Sequence, residues 1–207
     1  MYAQACFREE RLPVLQAAIR EIGLAALVTA GPSGLEATHL PFFLEAEEGP
    51  FGTLYGHMAR ANPHWCRLAE ATESLAIFQG PHAYVTPSWY ESKGQTGKAV
   101  PTWNYIAVHA HGSLDIVDDP AFARTVVEKQ TRFHEGGRPH PWAVADAPED
   151  YIQALLKAII PVRLTIVRLE GAWKLSQNKT PEDRAGVKQG LSADAVGQAA
   201  AVAQRMA

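Results

Sequence analysis

The sequence is short of cysteine, of long apolar runs and of net charge. Cys6 and Cys66 are the two cysteines among 207 residues, too few for a disulfide framework and typical of a reducing cytosol. The N-terminus lacks the charged-then-apolar pattern of a signal peptide, and no apolar run approaches the roughly 18 residues of a membrane span. The net charge of −3 provides no general attraction to nucleic acid or membranes. We therefore expect a cytoplasmic protein with no membrane partner.

Several common motifs of nucleotide-binding proteins and hydrolases are also missing. The chain contains neither GxGxxG after a strand nor GxxxxGK[ST], which excludes Rossmann and P-loop sites, and it lacks GxSxG. Gly94-x-x-Gly97-Lys98 is too short for a P-loop and is interpreted as a solvated turn. His109 and His111 project to the same side of one strand, but no spacing selects a further metal ligand. We predict no catalytic residues and no metal site.

Strands and helices do not alternate regularly, and there is no repeat. About seven strands are predicted, mostly in the first half, beginning with a hairpin over residues 24–44 and including separate strands at 74–79 and 82–90 and a β-rich run at 162–169 that follows Pro161. Helices are inserted between them. The first is predicted from Leu12 to Ile22 with Gly23 as its stop, and the helix after Asn62-Pro63 is predicted to have Ala69 on its apolar face and to end near Thr72. Asn62-Pro63, Asp119-Pro120 and Thr180-Pro181 are typical helix starts. This pattern favours an antiparallel barrel with peripheral helices. Residues 1–191 are predicted to form one domain, and residues 192–207 a helical tail that frays.

One aromatic stretch, residues 78–112, is the most distinctive part of the sequence. It contains three of the six tyrosines and three of the eight histidines, and Glu91 is its single acidic residue. Two strand-like runs flank a polar loop, Glu91–Ala99, which carries Lys98. Aromatic and amide side chains beside such a loop favour a flat, polar, anionic ligand, although aromatic strands also occur as plain core.

A second candidate for ligand binding lies at the Asn62-Pro63 helix start. Arg60 precedes it, and free backbone N–H groups at a helix N-terminus together with an arginine suit a phosphate. The alternative is that Asn62 only caps its helix and Arg60 is solvated. That alternative does not account for the neighbouring His57.

Four segments carry a resemblance to a known family. They read H-M-A-R-A-N-P at 57–63, F-Q-G-P-H-A-Y-V-T-P-S-W-Y at 78–90, V-P-T-W-N-Y at 100–105 and W-K-L-S-Q-N at 173–178. With them the chain resembles the FMN-binding negative transcriptional regulators, the PaiB-like proteins, from residue 1 to about 191. The resemblance implies a split β-barrel like those of flavin reductases and pyridoxamine phosphate oxidases. It also implies a homodimer that holds FMN at the subunit interface.

The resemblance implies gene repression, which the sequence does not support by itself. No helix-turn-helix with a basic second helix and no Lys/Arg cluster on a helix is recognisable, so DNA or a regulatory protein is a partner without a motif. Two alternatives stay open. The first is a flavin-dependent oxidoreductase acting on a small molecule, and the second is a haem-binding split-barrel relative.

Within this framework, eight residues are predicted to hold FMN. Arg60, the Asn62 helix start and Lys98 are assigned to the phosphate, with His57 beside them. The ring is assigned to Thr102, Asn104, Gln177 and Asn178, while Trp103 packs in the barrel or against the partner subunit. The alternative is that Asn104 and Gln177 only satisfy backbone groups at a strand irregularity.

Overall fold

The computed structural model describes residues 1–32, 34–68, 71 and 73–206. The chain divides into two compact units, each made of separate segments. The first unit comprises Met1–Arg11, Gln79–Val108 and the chain from Glu170 onward, and the second comprises Leu12–Phe78 and His109–Leu169. The predicted domain boundary at residue 191 stays a prediction.

The described residues form eight strands. The five strand pairs β1–β8, β2–β3, β2–β6, β4–β5 and β5–β8 are all antiparallel. The hydrogen-bonded order is β3-β2-β6-β7-β8-β5-β4, with β1 paired to β8. The strands are β1 Arg8–Glu9, β2 Leu24–Gly31, β3 Gly34–Pro41, β4 Phe43–Glu45, β5 Thr53–Ala59, β6 Glu73–Val85, β7 Thr102–Ile116 and β8 Ile159–Lys174. The helices are α1 Leu12–Ile22, α2 His64–Arg67, α3 Glu91–Thr96, α4 Pro120–Glu135, α5 Glu149–Leu156, α6 Pro181–Ala193 and α7 Ala199–Arg205. None of these helices combines the length and apolar character needed to cross a bilayer.

The second unit confirms the predicted hairpin and the first helix. In the hairpin of β2 and β3, Leu24 pairs with Pro41 at one end and Gly31 pairs with Gly34 at the other. Helix α1 ends where Gly23, at a φ of 65°, donates its N–H to the carbonyl of Ile19. A left-handed residue at this position is the usual way to end a helix, and glycine adopts it without strain.

Three local predictions for strands and loops are wrong. The separate strands expected at 74–79 and 82–90 are one strand, β6, which ends at Val85. Pro161 does not precede β8 but lies within it, opposite His57, and its carbonyl accepts the N–H of Val117. The segment Glu91–Ala99, predicted as a polar loop, instead contains the short helix α3. This helix ends at Gly97, which has a φ of 65°. Proline and glycine therefore predicted turns in the chain more reliably than they predicted where a strand or helix ends.

Helix α2 is shorter than predicted. The Asn62 side chain accepts the N–H of His64, as a cap would, but Pro63 precedes the helix instead of occupying its first position. The α-helix itself has four residues. The predicted face residue Ala69 and the predicted helix end at Thr72 lie outside the described residues.

The first unit has a core of its own, built by α6, α7 and the adjoining strand segments. Its buried residues include Val85, Ile106, Leu175, Val187, Leu191 and Val202. Thr180 caps α6 by accepting the N–H of Asp183, as its Thr-Pro start predicts. Helix α7 lies within the predicted tail, and Ala199, Val202 and Met206 are buried in this core.

Candidate functional site

A cavity of about 180 Å³ opens within the first unit. It gathers residues from the segments around 7, 90, 100–104 and 174–179, which are far apart in the chain. Its walls carry ammonium, hydroxyl and amide groups but none of the described carboxylates. The lining residues are Phe7, Tyr90, Val100, Pro101, Thr102, Asn104, Lys174, Ser176, Asn178 and Lys179.

Two lysines on the cavity wall lie beside a hydroxyl and aromatic rings. The Lys174 Nζ donates to Thr102 Oγ1 at 2.6 Å and lies 6.0 Å from the centre of the Tyr105 ring. The Lys179 Nζ lies 4.5 Å above the Tyr90 ring. Burial lowers the pKa of the Lys174 ammonium, because water is partly removed from the charge. An anionic or strongly electronegative ligand would compensate for that loss of hydration.

The Tyr90 hydroxyl lies buried in the cavity wall without a partner. Tyr90 is only 4% exposed, and its hydroxyl forms no hydrogen bond to the described residues. Burial raises the pKa of this phenol, and the nearby Asp183 carboxylate adds to the effect. Tyr90 is therefore a neutral donor, and a buried hydroxyl left unpaired costs about 1–3 kcal/mol. A ligand in the cavity that accepts its hydrogen would remove that penalty.

The two predicted amides Asn104 and Gln177 bond to the protein itself. Asn104 is completely buried; its Nδ2 donates to Ser176 Oγ at 3.0 Å, and its Oδ1 lies 3.2 Å from the same hydroxyl. Gln177 accepts the N–H of Leu175 and donates to the carbonyl of Trp173. Ser176 between them has a φ of 66°, the irregularity in the chain that these amides support. These contacts favour the supporting role that the sequence left open.

Thr102, Asn104 and Asn178 are the predicted ring residues that the cavity brings together. Gln177 is not among its lining residues. Lys98 is exposed and also lies outside the lining, with its backbone N–H bonded to Thr96 Oγ1. Assignment of all four predicted ring residues and Lys98 to FMN stays a prediction.

Arg60 and Asn62, two of the residues predicted to hold the phosphate, lie in the second unit and have partners there. Arg60 makes an ion pair with Asp118 at 2.6 Å and donates to the carbonyl of Lys157 at 2.9 Å. Its hydrogen bond lowers the pKa of the Asp118 carboxyl. Asn62 donates to the hydroxyl of Thr38 at 3.1 Å. The guanidinium would have to exchange a carboxylate for a phosphate, and both groups are exposed enough for this exchange.

His57 is the remaining predicted residue. Its Nδ1 is buried and unpartnered within the described structure, and burial lowers the pKa of the ring. The imidazole is thus held neutral. An unpaired buried nitrogen, like the Tyr90 hydroxyl, is a feature that bound ligands commonly satisfy.

Sequence reasoning missed Tyr90, Lys174 and Lys179 as site residues. Tyr90 and Lys174 both lie in the segments that carry the family resemblance, so a signal was present. Their meeting could not be foreseen, because strand periodicity determines a side chain's face but not which distant segment packs beside it.

Comparison with known proteins decides the family. Residues 1–168 match the family described as "Putative FMN-binding domain". The chain belongs to this family. The predicted PaiB-like membership is thereby confirmed, and FMN is the cofactor of the family, as the sequence predicted.

Similar proteins span nearly the whole chain. An uncharacterised protein of Aspergillus fumigatus is 39% identical, with 92% of this chain and 90% of the relative covered. The Bacillus subtilis "Protease synthase and sporulation protein PAI 2" is 28% identical, with coverages of 88% and 85%. This member of the FMN-binding family therefore has relatives in both fungi and bacteria.

Solved structures confirm the fold class. The flavocytochrome Anf3 of Azotobacter vinelandii has a TM-score of 0.60 at 12% identity, covering 89% of this chain and 78% of that chain. The FAD and heme binding protein of Mycobacterium smegmatis has a TM-score of 0.60 at 16% identity, with coverages of 86% and 78%. The predicted antiparallel split β-barrel with peripheral helices is confirmed.

The residues of the first-unit cavity fit one end of FMN. Cofactor pockets usually enclose about 300–1,000 Å³, so a cavity of about 180 Å³ accommodates a part of the cofactor only. The pyrimidine end of the flavin ring presents carbonyl oxygens and ring nitrogens. Tyr90 and the two lysines supply donors for such acceptors, and the Tyr90 hydroxyl has no partner among the described residues.

Proposed function

We propose that the protein binds FMN and acts as an FMN-dependent negative regulator of gene expression. The unpartnered, buried Tyr90 hydroxyl, in a cavity with two lysines and no lining carboxylate, carries the binding part of this proposal. The regulatory part is supported by the PaiB-like resemblance and by the name of the Bacillus subtilis relative. Cytoplasmic localisation belongs to the same proposal.

The side chains have separable roles in this proposal. Tyr90 would supply a hydrogen-bond donor to the flavin ring, and Lys174, which donates to Thr102, would supply positive charge in the same cavity. Asn104 holds the Ser176 turn in shape and so maintains the cavity wall. When bound, FMN would supply reversible two-electron chemistry, which suits its site to redox sensing.

Two measurements on gently purified protein test the proposal. A flavin absorbance spectrum is expected, together with operator DNA retention in a gel shift that weakens as salt rises and changes when FMN is removed. Rapid bleaching by NAD(P)H without DNA binding would favour the oxidoreductase instead. A Soret band without flavin absorbance would favour the haem-binding alternative.

Arg60→Ala tests the phosphate assignment. A charge-assisted hydrogen bond contributes about 1.5–3 kcal/mol, so we expect FMN affinity to fall about tenfold or more while riboflavin affinity stays unchanged. The Asp118 pair reduces the effect, because the free protein also loses an interaction. Asp118→Asn is the matched control: it frees the guanidinium and should leave FMN affinity equal or higher. Equal losses for FMN and riboflavin in Arg60→Ala would contradict the assignment.

Trp103 tests the proposed homodimer. Its side chain is 52% exposed and packs edge-on against the exposed Tyr84 at 6.0 Å, so it does not lie inside the barrel. This exposed position supports the other place predicted for Trp103, contact with a partner subunit. Light scattering at micromolar concentration should give a dimer mass, and Trp103→Ser should shift it toward the monomer. The exposed Trp142→Ser, in the second unit, should remain dimeric. A monomeric wild-type protein would refute the proposal.

A further inference from the structure

We propose that Lys174 and the Tyr90 hydroxyl make the first-unit cavity bind reduced, anionic flavin more tightly than oxidised flavin. This inference rests on the proposed FMN binding and adds the redox preference of the site. It assigns a role to two residues that the prediction of the site had left out. The protein would then respond to the redox state of its cofactor and not to FMN concentration alone.

The charge balance of the cavity is the first support. Lys174 donates to a neutral hydroxyl, Lys179 lies over an aromatic ring, and no carboxylate is among the residues that line the cavity. The Asp183 carboxylate accepts hydrogen bonds from the backbone N–H and hydroxyl of Ser92, and the charge of Lys179 also contributes to lowering its pKa, so Lys179 is partly compensated and Lys174 is not. A site with uncompensated positive charge favours whichever form of a ligand is more negative.

The hydrogen-bond balance is the second support. The Tyr90 hydroxyl is buried and unpaired, and its raised pKa keeps it protonated, so it can act as a donor at neutral pH. Hydrogen bonds to ionised acceptors are about twice as strong as those between neutral groups. The Tyr90 hydroxyl therefore also favours the anionic form of an acceptor.

The redox change of flavin alters this acceptor. Oxidised flavin takes up two electrons and one proton, which binds at N5, and becomes an anion whose charge is spread over N1 and the C2 carbonyl. A two-electron donor such as a reduced nicotinamide would supply the electrons in the cell, and dithionite supplies them in the test. Tighter binding of the anion raises the midpoint potential, and each tenfold preference corresponds to about 30 mV for a two-electron couple.

The test measures the midpoint potential of protein-bound FMN against a reference dye, together with anaerobic dissociation constants for oxidised and reduced FMN. We expect the wild-type protein to bind reduced FMN at least about tenfold more tightly, so that the potential lies at least about 30 mV above that of free FMN. Lys174→Met should abolish most of this difference, and Lys174→Arg should keep it. Lys93→Met, which removes an exposed ammonium in α3 outside the cavity, should behave as wild type.

Tyr90→Phe separates redox preference from folding. It deletes only the unpaired hydroxyl, so the flavin-free protein should melt no earlier than wild type, while the preference for reduced FMN becomes smaller. FMN binding with the same potential in wild type and Lys174→Met would overturn this inference and leave the proposed function standing. A wild-type protein that binds no FMN in either state would overturn both.

Discussion

Asn104→Leu is expected to lower the stability of the flavin-free protein by about 1–3 kcal/mol, because it leaves the Ser176 hydroxyl without its partner. Both side chains are buried, and the two are joined by hydrogen bonds of 3.0 and 3.2 Å. Ser176 also has a left-handed backbone, a conformation that needs such support in a residue other than glycine. Thermal and urea unfolding of the flavin-free variant measure the effect.

Thr102→Val is the matched control for this cavity. It removes one hydroxyl at nearly constant volume from a partly exposed position and frees the Lys174 ammonium from its neutral partner. Its stability should fall by less than that of Asn104→Leu, because the Lys174 ammonium that loses its partner is only partly buried and can bond to water. If Asn104→Leu instead melts with the wild type and loses only FMN affinity, Asn104 is a ring ligand, as the sequence first predicted.

Gly186→Ala is expected to destabilise the first unit by about 1–3 kcal/mol or more, since it overpacks a closed contact. An added Cβ at this position of α6 would lie 2.1 Å from the carbonyl oxygen of Trp89, which cannot rotate away as a side-chain end can. An added Cβ at Gly190, one turn later, would lie 2.3 Å from the Trp89 ring. For a protein of this size a loss of 1 kcal/mol lowers the melting temperature by about 2–4 °C.

Gly94→Ala provides the comparison within the same unit. Gly94 also lies in a helix, α3, but an added Cβ there meets no atom within 4 Å. Alanine should therefore be neutral or stabilising by up to about 1 kcal/mol, through helix propensity alone. Equal melting temperatures for Gly186→Ala and Gly94→Ala would show that the backbone at Trp89 can move to accept the added Cβ without loss of stability. A loss confined to Gly186→Ala would confirm that α6 needs its glycine for close approach.

Local features of the sequence predicted much of the secondary structure. The Asp-Pro and Thr-Pro starts placed α4 and α6 because a side-chain cap and a proline act on neighbouring backbone groups only. The hairpin of β2 and β3 and the long strands β7 and β8 followed from residue type and turn position. Predictions based on single punctuating residues were weaker, as the strand position of Pro161 shows. Whether a proline or glycine ends a strand depends on the neighbouring strands of the sheet, which the residue by itself does not reveal.

The sequence by itself determined the family, the split-barrel fold class and the cofactor class, because the motifs that carry them are continuous and specific. Only the tertiary structure decided how the site residues group. It buried Asn104 against Ser176, paired Arg60 with Asp118, and brought Tyr90 and Lys174 to the cavity that holds Thr102. The physical reason is that hydrogen-bond partners and charge balance depend on which chain segments pack together. Spacing along one strand records only the face on which each side chain lies.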